Sequence, residues 1–120
     1  MKAQAWLYPL NLQAAITSLL TRPAVCTPEL RQAIEGYAAK LGGADREAQD
    51  IPADLVSYVK KVVLYAYKVT DEDVSRLTAA GYSEDAIFEI TLCASVGASA
   101  ARLERGMLAL KGGQDASAGS

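Results

Sequence analysis

The sequence predicts an all-α domain, a compact bundle of about five helices, and three observations lead there. Hydrophobic residues make up 51% of 120 residues against 22% charged, enough apolar material for one real core. Apolar positions recur at helical spacing, while no two-residue alternation is sustained. Helix start and stop signals are frequent: Thr27-Pro28-Glu29, Thr70 with Asp73, and Gly81 followed by Ser83.

Taken in order, the first helix is expected over Asn11–Thr21, with Leu12, Ile16, Leu19 and Leu20 on one side. Pro23 and Pro28 bracket the loop that follows. Thr27 suits an N-cap, Pro28 the first helical position, and Glu29 the positive end of the helix dipole. Leu30, Ile34, Tyr37 and Leu41 then follow at helical spacing until Gly42-Gly43 ends the second helix. Ala44–Asp50 reads as a polar loop. A third helix begins near Pro52 and carries Leu55, Tyr58, Val59, Val62 and Tyr65-Ala66, with Lys60 and Lys61 on its other face.

Thr70 caps a short fourth helix, Asp73 is placed to close a capping box, Val74 and Leu77 face inward, and Gly81 stops it. Ser83 caps a fifth helix that opens with Glu84 and Asp85 and extends to about Lys111, roughly 40 Å at the standard rise. Its middle is rich in small residues, Cys93, Ala94, Ser95 and Gly97 through Ala101, a ridge that lets another helix approach closely. Gly97 there costs about 1 kcal/mol against alanine, which close packing offsets. The chain therefore divides into one helical domain over 1–112 and a Gly/Ser/Ala tail over 113–120, expected to be disordered.

Composition also excludes functions. Net charge is −2, leaving no electrostatic footprint for nucleic acid. No apolar run is read as long enough to cross a bilayer, and Pro9, Asn11 and Gln13 interrupt any signal-peptide core, so a cytoplasmic protein without a membrane partner is expected. Two cysteines, Cys26 and Cys93, are too few for a disulfide scaffold and fit no zinc spacing. There is no histidine, which removes the commonest general base and the commonest metal ligand. No metal or cofactor is expected.

The run Gly81-Tyr82-Ser83-Glu84-Asp85, with Ala79-Ala80 before it and Ile87 after, matches a Gly-x-Ser-x-Glu/Asp turn. Together with the helix lengths and the small-residue last helix, it resembles the AhpD-like/carboxymuconolactone decarboxylase family (the alkylhydroperoxidase-like fold) over 54–110. The resemblance implies that fold and a homo-oligomer. It also implies a register: Asp54 at the family's upstream glutamate, Ala66 and Val69 at its two cysteines, and Asp73 at its histidine. This chain departs from the family's pattern by lacking Cys-x-x-Cys and histidine, so its active site is degenerate. Attack on a peroxide O–O bond needs a thiolate and a resolving thiol, and alanine and valine supply neither.

The residues left as candidates for a pocket are Asp54, Tyr65, Lys68 and Asp73. Asp54 and Asp73 form a paired carboxylate site with Lys68 between them, or else each simply occupies a helix first turn, where the dipole favours acids. Asp71-Glu72-Asp73 reads as a solvated helix start, since consecutive helical side chains diverge and do not converge on a cation. Cys93 reads as a packing residue, and Cys26 as a more exposed one. Tyr58, Tyr65 and Tyr67 with Lys61 and Lys68 line a pocket, or belong to the core or a subunit contact.

Two functions follow. The first is a non-redox homo-oligomer that binds, scaffolds or regulates through a small-molecule ligand or a protein partner. The second is a cofactor-free enzyme of decarboxylase or isomerase type using those carboxylates, Lys68 or a tyrosine for proton transfer. Either way, the purified protein is expected to turn over no organic hydroperoxide with a dithiol reductant. An assay showing turnover that disappears in Cys93→Ser contradicts this.

Overall fold

Short-range capping sets the helix boundaries, and the computed structural model describes them over residues 10–118, with side chains from 14 to 112. The elements in chain order are α1 (Leu10–Thr21), α2 (Pro28–Leu41), α3 (Ala53–Leu64), a 3₁₀ turn (Ala66–Lys68), α4 (Asp71–Ala79) and α5 (Glu84–Ala118). The fold is all-α, five helices and no strand among the described residues.

The punctuation works as its chemistry requires. The Thr27 hydroxyl accepts from the Leu30 amide, with Pro28 in the first turn of α2. Thr70 and Asp73 form a reciprocal capping box at the start of α4. The Ser83 hydroxyl accepts from the Ala86 amide at the start of α5. Gly43 (φ 100°) and Gly81 (φ 105°) turn the chain after α2 and α4 in the left-handed region.

Two boundaries and one buried face differ from the sequence expectation. α3 ends at Leu64, and Tyr65, outside the helix with φ −143°, is half exposed rather than part of the apolar stripe. The inward face of α2 is shifted by one position: Arg31, Ile34, Glu35, Ala38 and Ala39 are buried, while Leu30, Tyr37 and Leu41 are only partly so. α5 continues past Lys111 to Ala118. The disordered tail expected over 113–120 lies outside the residues whose side chains are described, as does Leu12.

Length and composition over Glu84–Gly112 do suffice for a membrane span, contrary to the sequence reading. Half of the most apolar window is buried inside the fold, the position of a core helix.

What it packs against is α2, the most extensive helix pair in the structure. The small-residue ridge explains how. A Cβ at Gly97 would press on the Glu35 carbonyl oxygen and lie 2.8 Å from the Ala38 Cβ and 2.9 Å from the Ala39 nitrogen. Backbone thus approaches backbone at this point, and Cys93, Ala94, Ala98 and Ala101 are buried around it. The ridge serves α2 of the same chain. On the other side of the core, Leu55, Tyr58, Val59, Val62 and Val63 of α3 meet Ile34, Ile87 and Ile90, and Leu77 anchors α4. The Tyr58 hydroxyl shares a 2.7 Å hydrogen bond with the Thr91 hydroxyl.

The same substitution on the same helix therefore has opposite outcomes. Gly97→Ala forces α2 and α5 apart and should destabilise by roughly 1–3 kcal/mol. At Gly106 nothing lies within 4 Å of an added Cβ, so Gly106→Ala should stabilise by about 0.5–1 kcal/mol. Denaturant midpoints of the two variants check the pair, and equal effects would contradict the packing.

Candidate functional site

Of the four residues singled out from the sequence, Lys68 and Tyr65 meet, while Asp54 and Asp73 each hold other partners. Asp54 opens α3 and Tyr65 follows its end, 11 residues and about 16 Å further along the axis. Asp54 accepts a 2.8 Å hydrogen bond from the Tyr82 hydroxyl. Burial and this carboxylate push the Tyr82 phenol up to about 12.

Asp73 is occupied by Lys61, whose ammonium lies 2.9 and 3.0 Å from its two oxygens, and by the Thr70 amide at 2.8 Å. The Lys61 hydrogen bond first, then the Thr70 amide, hold its carboxyl below the usual range. Lys68 points over the Tyr65 and Tyr67 rings, 5.1 and 5.8 Å from their centres, and both rings are exposed. Asp54 and Asp73 thus hold separate helix starts, and the cation at Asp73 is Lys61 rather than Lys68.

The thiols are held away from solvent. Cys93 is fully buried, and burial raises its pKa to about 11. Cys26, expected to be the more exposed, is 6% exposed, its sulfur facing the Ala86 carbonyl. Burial, then the neighbouring Glu89 carboxylate, raises its pKa too. Among the described residues no group of three or more Cys, Asp or Glu side chains is arranged to hold a metal.

A different constellation organises the chain around Cys26. Arg31, 2% exposed, donates to three backbone carbonyls: Leu19 and Arg22 through its terminal nitrogens, and Cys26 through Nε at 3.2 Å. These satisfy the end of α1 and the following loop, whose carbonyls have no helical partner. From the opposite side, the Glu89 carboxylate of α5 accepts from the Val25 and Cys26 amides at 3.0 and 2.8 Å. Burial pushes the Glu89 carboxyl up, but these amides outweigh it and keep it below its ordinary value. A cation thus holds the Leu19, Arg22 and Cys26 carbonyls and an anion holds the Val25 and Cys26 amides.

A second loop is held in the same manner. Glu35, buried in α2, makes a two-pronged ion pair with Arg46 at 2.7 and 2.9 Å. Glu104, buried in α5, accepts from the Asp45 amide at 2.9 Å.

The cleft beside the first of these loops has a volume of about 520 Å³. One wall is Ala15, Ser18 and Leu19 of α1 with Arg22 just past its end, the other Asp85, Phe88, Glu89 and Leu92 of α5, each a set spaced i, i+3, i+4, i+7. Ala24 and Val25 complete it, and Arg31 also lines it. Phe88 is 67% exposed and Val25 59%. A smaller cavity of about 450 Å³ lies between Tyr37, Lys40, Leu41, Ala48, Gln49 and Lys60. None of Asp54, Tyr65, Lys68 or Asp73 lines either one.

Sequence reasoning missed Arg31, Glu35, Glu89 and Glu104. For Arg31 and Glu35 a signal existed, since both fall in phase with Ile34 and Ala38 on the face of α2 that must be buried. No protein-family model, curated protein or solved structure matches the chain.

Arg31→Met should destabilise by on the order of 3 kcal/mol, because one buried and two partly buried carbonyls lose their donor at once. Arg22→Met, at the exposed residue just past α1, should stay within about 0.5 kcal/mol. Chemical denaturation of the two variants measures the difference.

Proposed function

We propose that this chain is a non-redox, homo-oligomeric helical protein that binds or scaffolds through its surfaces. Within this reading it is a divergent AhpD-like relative, located in the cytoplasm, that has kept helices and lost the redox chemistry. The observation that carries the binding reading is the apolar cleft between α1 and α5, where Phe88 and Val25 stand largely in solvent.

Supporting it from the other direction, the acids that would serve proton transfer already have structural partners: Tyr82 for Asp54, Lys61 and Thr70 for Asp73. The register drawn from the family is supported by the interruption at Ala66–Lys68 between α3 and α4, where the dithiol of active members would fall. Self-association is supported by the exposed apolar residues Val25, Phe88, Leu92, Leu108 and Leu110. The small-residue ridge of α5 gives it no support, being filled by α2 of the same chain.

At micromolar concentration the purified protein should sediment and scatter light as a dimer or larger closed oligomer. A monomer mass across that range overturns the oligomeric reading.

A further inference from the structure

We propose that the cleft between α1 and α5 is the face through which two copies of this chain associate about a two-fold axis. This rests on the self-associating reading above and names its surface. The apolar part of the cleft consists of Leu19, Val25, Phe88 and Leu92, with Phe88 and Val25 largely exposed. Its charges argue for a second copy as the occupant. Arg22 closes the α1 wall and Asp85 opens the α5 wall. Among the described residues, the Arg22 guanidinium bonds only the Ser18 hydroxyl, 3.0 Å away, and the Asp85 carboxylate has no ion-pair or hydrogen-bond partner.

With Arg22 and Asp85 both lacking an ion-pair partner among the described residues, beside an apolar floor, the cleft is complementary to itself. With a two-fold axis near its charged end, Arg22 of one copy meets Asp85 of the other, and the symmetry makes the same pair twice. Each Phe88 then has the other copy's apolar floor to enter, which removes its exposed ring from water. A single-signed ligand would leave one of the two charges opposed to nothing, and a purely apolar one would leave both so.

The test uses the full chain and three variants, each changed at an exposed side chain, with circular dichroism as the check on folding. Phe88→Asp should lower the association constant at least about tenfold, as should Arg22→Asp and Asp85→Arg alone, since each charge change places like charges opposite one another. Mixing the last two is decisive. In the mixed dimer the aspartate introduced at position 22 of one copy faces the arginine introduced at position 85 of the other. The native Arg22 and Asp85 that remain also face each other, so association should return toward wild type by analytical ultracentrifugation.

If the wild-type chain oligomerises and folded Phe88→Asp does so equally well, association uses another face and this proposal alone fails. If mixing restores nothing, the two-fold pairing is wrong. A monomeric wild type removes both this proposal and the oligomeric reading.

Discussion

The close approach of α2 and α5 is the constraint on which the rest of this structure depends. Gly97 leaves no room for even a methyl group against the backbone of Glu35 and Ala39, and alanines surround it on both helices. Helices this close exchange little side-chain area at the point of contact, so much of the apolar burial must come from elsewhere. It comes from α3, whose Leu55, Tyr58, Val59, Val62 and Val63 close the other side of the core against Ile34, Ile87 and Ile90. A glycine that weakens α5 as an isolated helix thereby determines how the whole bundle is assembled.

Local signals made most of the helix boundaries legible in the sequence. Thr27, the Thr70–Asp73 pair and Ser83 act on amides within three residues, so their roles need no knowledge of the tertiary fold. The ridge in α5 was legible as a surface for close packing, but a run of small residues does not say which helix fills it. Arg31 and Glu89 escaped because their partners are backbone groups, which every residue carries and no residue type advertises. The apolar stripe of α2 was displaced for a related reason: the buried face accepts Arg31 and Glu35 once their charges are satisfied, and a reading by hydrophobicity moves away from them.

The candidate site fared differently from the fold. Asp54 and Asp73 were open to two readings in the sequence, as chemical groups or as helix-start acids, and the fold gives each of them a structural partner. Tyr65 and Lys68 sit beyond the end of α3, where the apolar stripe of that helix has already stopped. The cleft on α1 and α5 joins residues some 70 positions apart, a juxtaposition that only the tertiary fold creates.

The two loops flanking α2 are gripped by carboxylates of one and the same helix. Glu89 holds the loop before α2 and Glu104 the loop after it. Those two acids are separated by 15 residues of α5, about 22 Å, and the 14 residues of α2 span about 21 Å. α5 therefore acts as a gauge for the length of its neighbour. Inserting or deleting a residue within α2 would move one loop by about 1.5 Å and turn it by about 100°, out of reach of its carboxylate. Only a matching change between Glu89 and Glu104 would restore the fit, which ties the lengths of two separate helices together through two carboxylates and the backbone amides they hold.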